Sequence, residues 1–237
     1  MDALRWLLLA RHRSRVEFKP DAATFVGYLD DVTAAANETG AGAGLSGSDL
    51  VLTQAGSIPG ATGSPLGRAI TAANQHFSCS QAFIENFILD DTFTFLWTLR
   101  NASAGSTRLC VLGNYGGSLP MIFIKDDTSG KLQFNLCDDS GYPGPLTTSA
   151  AYPTSGQFTV GLWSDGTFVR GGFTALSKPT KWSDFPSANR ISMTRAWSMT
   201  PPLVWTYLHL IASNTGALYG TFERIVVSRN CLIDNAA

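Results

Sequence analysis

The stretch GALYGTFERIVVS, residues 216 to 228, reads as a β-strand that breaks its own alternation. Phe222, Ile225 and Val227 suit a core, yet three positions separate the first two. A pleated strand returns to the same face only at even spacings. Either the strand carries one extra residue, as a β-bulge does, or the misfit marks a working site.

The chain upstream shows which setting this strand belongs to. From Asp49 onward it is a series of short alternating runs separated by turn signals, the pattern of a sandwich or barrel. DLVLT (49–53) comes first, and FTFLWTL (93–99) then places Phe93, Phe95, Trp97 and Leu99 on one face. TRLCVLG (107–113), PMIFIK (120–125) and KLQFNLC (131–137) follow, the last two joined by the polar loop DDTSG, which predicts a hairpin. A second hairpin is predicted over 157–173, turning at Ser164-Asp165-Gly166-Thr167, and PPLVWTYLHLIAS (201–213) and the opening stretch supply the last two strands. Helix is confined to 21–37, which reads as strand, helix or both, and to short turns near Gln81–Phe87 and Ser183–Asn189. The expected fold is all-β, an antiparallel two-sheet sandwich over residues 46–237. Residues 1–45, ending in the Gly/Ala/Ser tract ETGAGAGLSGSD, are expected to form an amino-terminal docking segment and linker.

Composition agrees with a turn-rich β protein. The 237 residues are 44% hydrophobic and only 15% charged, with 23 Gly and 11 Pro. A net charge of -1 gives no long-range field to recruit nucleic acid or an anionic membrane. Locally, Arg5, Arg11, Arg13, Arg15 and Lys19 outnumber Asp2 and Glu17 at the amino end. They read as solvent-facing guards of an edge strand, or as a basic arm for nucleic acid or an acidic partner. WLLLA (6–10) is too short for a signal-peptide core, and no run reaches the roughly 18 apolar residues that span a bilayer. A protein made in the cytoplasm is expected, carried outside only by a route such as a phage particle. Cys79, Cys110, Cys137 and Cys231 are too scattered for a zinc set and are expected as buried free thiols.

Catalytic patterns are missing from the sequence. The glutamates are Glu17, Glu38, Glu85 and Glu223, no two within twenty positions of each other. The aspartate pairs, such as Asp126-Asp127 and Asp138-Asp139, are adjacent and would point to opposite strand faces, so they read as turn and capping residues. His12, His76 and His209 show no metal spacing, there is no G-x-S-x-G elbow, and His209 sits in the apolar run YLHLIA as a structural imidazole would. Aromatic residues near predicted loops are the remaining signal. Tyr115, Tyr142, Trp182 and Trp197 could stack on a sugar, or could pack against the sandwich edge or a neighbouring subunit.

The order of runs resembles laminin-G-like and related concanavalin A-like jelly-roll domains. The pieces that carry it are DLVLT, SPLGRAITAANQHFSC (64–79), FTFLWTLR (93–100), GKLQFNL (130–136), FTVGLWSDGTFVRGGF (158–173) and GTFERIVVS (220–228). The resemblance implies a jelly roll whose closing strand shifts by one place at Glu223-Arg224, with Phe222, Ile225 and Val227 all inside. Arg224 stands where the family usually has a second acid. Some relatives hold calcium at a sandwich edge, for which Asp126, Asp138 and Asp139 are the candidates; otherwise no metal or cofactor is expected. Others are glycoside hydrolases, whose two carboxyls lie about 5 to 9.5 Å apart, and no strand here offers such a pair. The leading expectation is a non-enzymatic virion component of a tailed phage. It would dock onto sister subunits or the particle through Trp6, Arg11, Arg13 and Arg15, and meet host-surface glycan. The alternative is a free carbohydrate-binding lectin-like domain, and the third an atypical glycoside hydrolase.

Overall fold

The computed structural model describes residues 23–30, 37–39, 51–88, 91–103, 108–114, 118–199, 205–212 and 218–235. The expected docking residues Trp6, Arg11, Arg13 and Arg15, the stacking candidate Tyr115 and most of the Gly/Ala/Ser tract lie outside them.

The described strands form two antiparallel sheets packed face to face as a jelly-roll sandwich. At the centre of the first lies β6 (Thr92–Arg100). Its alternation places Phe93, Phe95, Trp97 and Leu99 in the core as predicted. On one side β6 pairs with β11 (Gln157–Asp165), which continues through β12 (Phe168–Thr174) to β13 (Arg190–Thr194). On the other side lies the closing strand β15 (Gly220–Ser228), followed by β1 (Thr24–Tyr28); the short β4 (Arg68–Ile70) pairs with the start of β15.

The broken alternation is a bulge. Phe222 pairs with Leu99 and Arg224 with Thr98, so Glu223 is the extra residue, and the strand returns to phase with Phe222, Ile225 and Val227 in the core. The displaced Glu223 is itself buried. Its carboxylate accepts hydrogen bonds from the Arg100 guanidinium and the Gln157 amide. Arg100 donates further to Pro65 O at 2.7 Å and Thr62 O at 2.8 Å. The bulge thus clasps the turn 62–67 onto the sheet. Gly67 is required there, since a Cβ would lie 2.8 Å from Phe222 O and 3.1 Å from Glu223 Cγ.

The second sheet runs β10 (Leu146–Thr147), β9 (Leu132–Cys137), β8 (Ser118–Asp126), β7 (Arg108–Asn114), β14 (Tyr207–Ala212), β5 (His76–Ser78), β3 (Val51–Ala55), β2 (Asn37–Thr39). Its inner face contributes Cys110, Leu112, Ile122, Ile124 and Phe134 to the common core, and Trp97 Nε1 donates to Leu210 O at 2.8 Å across the sheets. Both predicted hairpins form. In β8–β9 the Asp126 and Asp127 carboxylates cap the loop, accepting the amides of Thr128 and Gly130 and of Ser129 and Lys131 respectively. In β11–β12 Asp165 accepts the amides of Thr167 and Phe168, and Gly166 takes the left-handed conformation at φ 85°.

Two expectations are revised. Strands β1 and β2 lie within residues 1–45, and β1 pairs with β15 over five residues. The fold therefore begins by Thr24, and residues 24–28 and 37–39 belong to the sandwich. The apolar run TFVGY is too short for periodicity to separate strand from helix. The other revision concerns Trp197, which is core. Helix does form at Gln81–Ile88 (α1), where the Ser80 hydroxyl accepts the Phe83 amide as an N-cap, and Phe83 packs edge-on to Phe25 at 4.9 Å. The turns near 183–189 are short 3-10 helices, Trp182–Asp184 and Ser187–Asn189.

The first sheet is covered on its outer side as well. Val26, Leu96, Trp163 and Val226 project there and pack with Phe185 and Ile233 in a second apolar cluster. The tail over 229–235 is pinned across them: Leu232 N donates to Thr94 Oγ1 at 2.9 Å and Trp163 Nε1 to Asn235 Oδ1 at 3.0 Å.

Candidate functional site

The carboxylates of Asp126, Asp138 and Glu223 are engaged in structural hydrogen bonds. Asp138 is fully buried, with Oδ1 accepting Ser140 N at 2.9 Å and Ser140 Oγ at 2.8 Å, Oδ2 accepting Ser198 N at 3.2 Å, and Arg195 paired to it. Asp126 Oδ2 accepts the Tyr152 hydroxyl at 2.8 Å. Asp126 and Asp138 stand at opposite ends of the β8–β9 hairpin, since Asp126 pairs with Leu132 while Met121 pairs with Cys137. Six residues of strand, from Leu132 level with Asp126 to Asp138, put them about 20 Å apart. The expected calcium set of Asp126, Asp138 and Asp139 is therefore not brought together. His209, expected as a structural imidazole, is buried with its ring centroid 4.1 Å from that of His76. Burial first, then the neighbouring His76 and Arg108, lowers its pKa to about 4.

The outer side of the second sheet carries a row of polar and cationic side chains. Alternation turns Val111, Phe123 and Asn135 outward in one cross-strand row, where all three are buried, and Arg108, Lys125 and Gln133, which are half-buried, in the next. Phe123 lies under two cations, with Arg108 Cζ 5.3 Å and Lys125 Nζ 6.0 Å from its ring centroid. At one end stands Tyr142. Its position follows from the Asp138 network: the turn 138–141 closes with Gly141 N donating to Asp138 O at 3.0 Å, Gly141 adopts φ 116°, and Arg195 Nη2 donates to Gly141 O at 3.1 Å. The Tyr142 hydroxyl donates to Asn135 Oδ1 at 2.8 Å, and Asn135 Nδ2 to Gln133 Oε1 at 3.4 Å. Tyr142 is nevertheless 50% exposed. Burial of its hydroxyl, then Cys137 nearby, raises its pKa, so at neutral pH the phenol keeps the proton that it donates.

The other aromatic candidates go elsewhere. Trp197 is 1% exposed and meets Phe93 edge-on at 5.5 Å, so its ring serves the core and cannot stack on a ligand. Trp182 is half-buried, engaged by Arg190 at 4.7 Å, by Arg170 at 5.2 Å and by Trp163 at 5.5 Å. Arg108, Phe123, Lys125, Gln133 and Asn135 were not singled out in the sequence. Their signal is the set of polar and cationic residues at the outward positions of TRLCVLG, PMIFIK and KLQFNLC.

No protein-family model matches the chain, and no curated protein sequence does. Solved structures resemble it at low identity. The CBM40 of the Ruminococcus gnavus IT-sialidase bound to α2,3-sialyllactose is similar at 13% identity with a TM-score of 0.42, over 59% of this chain and 76% of that one. A mutant of Trypanosoma rangeli sialidase displaying trans-sialidase activity is similar at 11% identity with a TM-score of 0.47, over 87% of this chain and 31% of that one. Domains LG4-5 of the mouse laminin α1 chain are similar at 10% identity with a TM-score of 0.36, over 59% and 40% of the two chains. At these identities the likeness is one of β-sandwich architecture, and no residue's role passes across.

Proposed function

We propose that this protein binds carbohydrate, without acting on it chemically, through the outer face of its second sheet. The observation that carries the reading is Tyr142, a half-exposed ring whose hydroxyl is fixed by Asn135 on a turn locked by Asp138. A planar ring held in one orientation offers a stacking surface for the C–H face of a sugar at little entropic cost. Beside it Gln133 and Lys125 supply donors for hydroxyls or a carboxylate, and the two cations over Phe123 favour an acidic saccharide over a neutral one.

A glycan array that includes sialyllactose and neutral oligosaccharides tests this directly. Tyr142→Ala should lower affinity at least tenfold, Lys125→Ala should weaken acidic glycans selectively, and Tyr142→Phe should retain most binding. Binding unaffected by Tyr142→Ala would remove the reading's basis. The virion-component reading draws on Trp6, Arg11, Arg13 and Arg15, and none of the described residues favours it.

A further inference from the structure

A groove of about 310 Å³ lies at the opposite sheet, where β4, the start of β15 and the end of β6 meet. Ala69, Ile70 and Thr71 line one side and Asn101 and Ser103 another, with Tyr219, Gly220 and Thr221 between them. Backbone pairing fixes this shape. Gly220 and Thr221 pair with Ile70 and Ala69, Thr221 pairs with Arg100, Ser103 N donates to Tyr219 O at 2.9 Å, and Ser103 O accepts the Tyr152 hydroxyl at 3.0 Å.

We infer that this groove is a separate binding site for a single uncharged sugar unit. The inference is independent of the Tyr142 reading. Four polar side-chain ends, the Asn101 amide and the Ser103, Tyr219 and Thr221 hydroxyls, have no hydrogen-bond partner among the described residues, although their backbone is held by pairing. Asn101 adopts the left-handed conformation at φ 53°, which asparagine tolerates better than most residues with a side chain. Hydroxyls and an amide both donate and accept, which matches the vicinal hydroxyls of a sugar. Half-buried Tyr219 and Ala69 offer apolar surface to its C–H face, while Ile70 beneath them belongs to the core. No ionisable carboxylate, ammonium or guanidinium lines the groove, so nothing there repays the desolvation of an ion. The volume is at the small end of ligand sites, the scale of one ring. This chemistry contrasts with the cationic outer face of the second sheet.

The test uses the full chain, ¹⁵N-labelled and made in bacteria so that the Asn101-Ala102-Ser103 sequon stays unmodified. It is titrated to millimolar concentration with the methyl glycosides of glucose, galactose and N-acetylglucosamine, and separately with glucuronate. At least one neutral glycoside should shift amides confined to 69–71, 101–103 and 219–221, and glucuronate should leave them in place. Tyr219→Phe and Thr221→Val each remove one hydroxyl with little change of shape, and each should weaken binding about fivefold. Tyr142→Ala should leave this titration unchanged, which separates the groove from the outer-face site. The inference is overturned if none of the three glycosides moves these amides, if the shifts map instead to the Tyr142 face, or if binding survives the double variant undiminished.

Discussion

Replacing Glu223 by alanine probes what the bulge is for. Glu223 is 3% exposed, and its carboxylate is the shared acceptor of Arg100 and Gln157. Removing one partner of a fully buried ion pair costs about 3–5 kcal/mol. Arg100 is less enclosed, with a side chain 16% exposed, and keeps the carbonyls of Pro65 and Thr62. Its own share therefore falls to about 2 kcal/mol, and the stranded Gln157 amide adds about 1 kcal/mol. A loss of about 3 kcal/mol is expected in equilibrium urea unfolding, with the turn 62–67 becoming the first site of limited proteolysis. Glu223→Gln, which still accepts one hydrogen bond, should lose about half as much. Adding Arg100→Met to Glu223→Ala should recover part of the loss, because the stranded charge is gone. If Glu223→Ala lies within about 0.5 kcal/mol of wild type, the clasp contributes nothing and the bulge is only a packing adjustment.

Four further outcomes are expected. His209 is held neutral by burial and by His76 and Arg108, so its folded pKa of about 4 lies below the unfolded 6.5. Stability should be full above pH 6.5 and fall by roughly 3 kcal/mol as pH drops toward 4, a slope that His209→Asn flattens in thermal melts taken across that range. Trp197→Ala should cost about 3–5 kcal/mol by denaturant melts while leaving the glycan affinity of the folded fraction intact. Asp138→Asn should loosen the 138–141 turn and weaken glycan binding severalfold with Tyr142 still present, read by calorimetric titration. Thiol reagents should modify half-buried Cys231 before Cys79, Cys110 and Cys137, as peptide mass mapping would show.

Most of the sandwich could be read in advance because its strands report their faces locally. Phe93, Phe95, Trp97 and Leu99 alternate cleanly, the Asp-rich loops name both hairpins, and the spacing of Phe222 and Ile225 declares the bulge. The cover on the first sheet also left a trace. Leu96, Trp163 and Val226 are apolar at outward positions of adjacent strands, which makes sense only if something lies over them. What stayed hidden is non-local. A strand is expected in the opening stretch, but its place at Thr24–Tyr28 depends on a partner some 200 residues away, since Thr24 pairs with Ser228. Trp197 sits between strands in an aperiodic segment, where nearness to a loop misreports exposure. Tyr142 was legible as a ring beside a turn, but its anchor on Asn135 was not. The groove is assembled from residues 69–71, 101–103 and 219–221, and no single stretch announces it.

The place of β15 has a consequence for how the chain is made. In the first sheet it lies between β1 and β6, so a middle strand of that sheet is also its last to be synthesised. On the ribosome the two hairpins can form as they emerge, but β1 has no neighbour in its sheet until residues 224–228 arrive. Through that interval Phe25 and Val26 wait without their sheet partners, as holdase chaperones would detect. Nascent chains stalled before residue 220 should remain protease-sensitive at residues 24–28, and emergence of residues 220–228 should be followed by one slow, concerted closure.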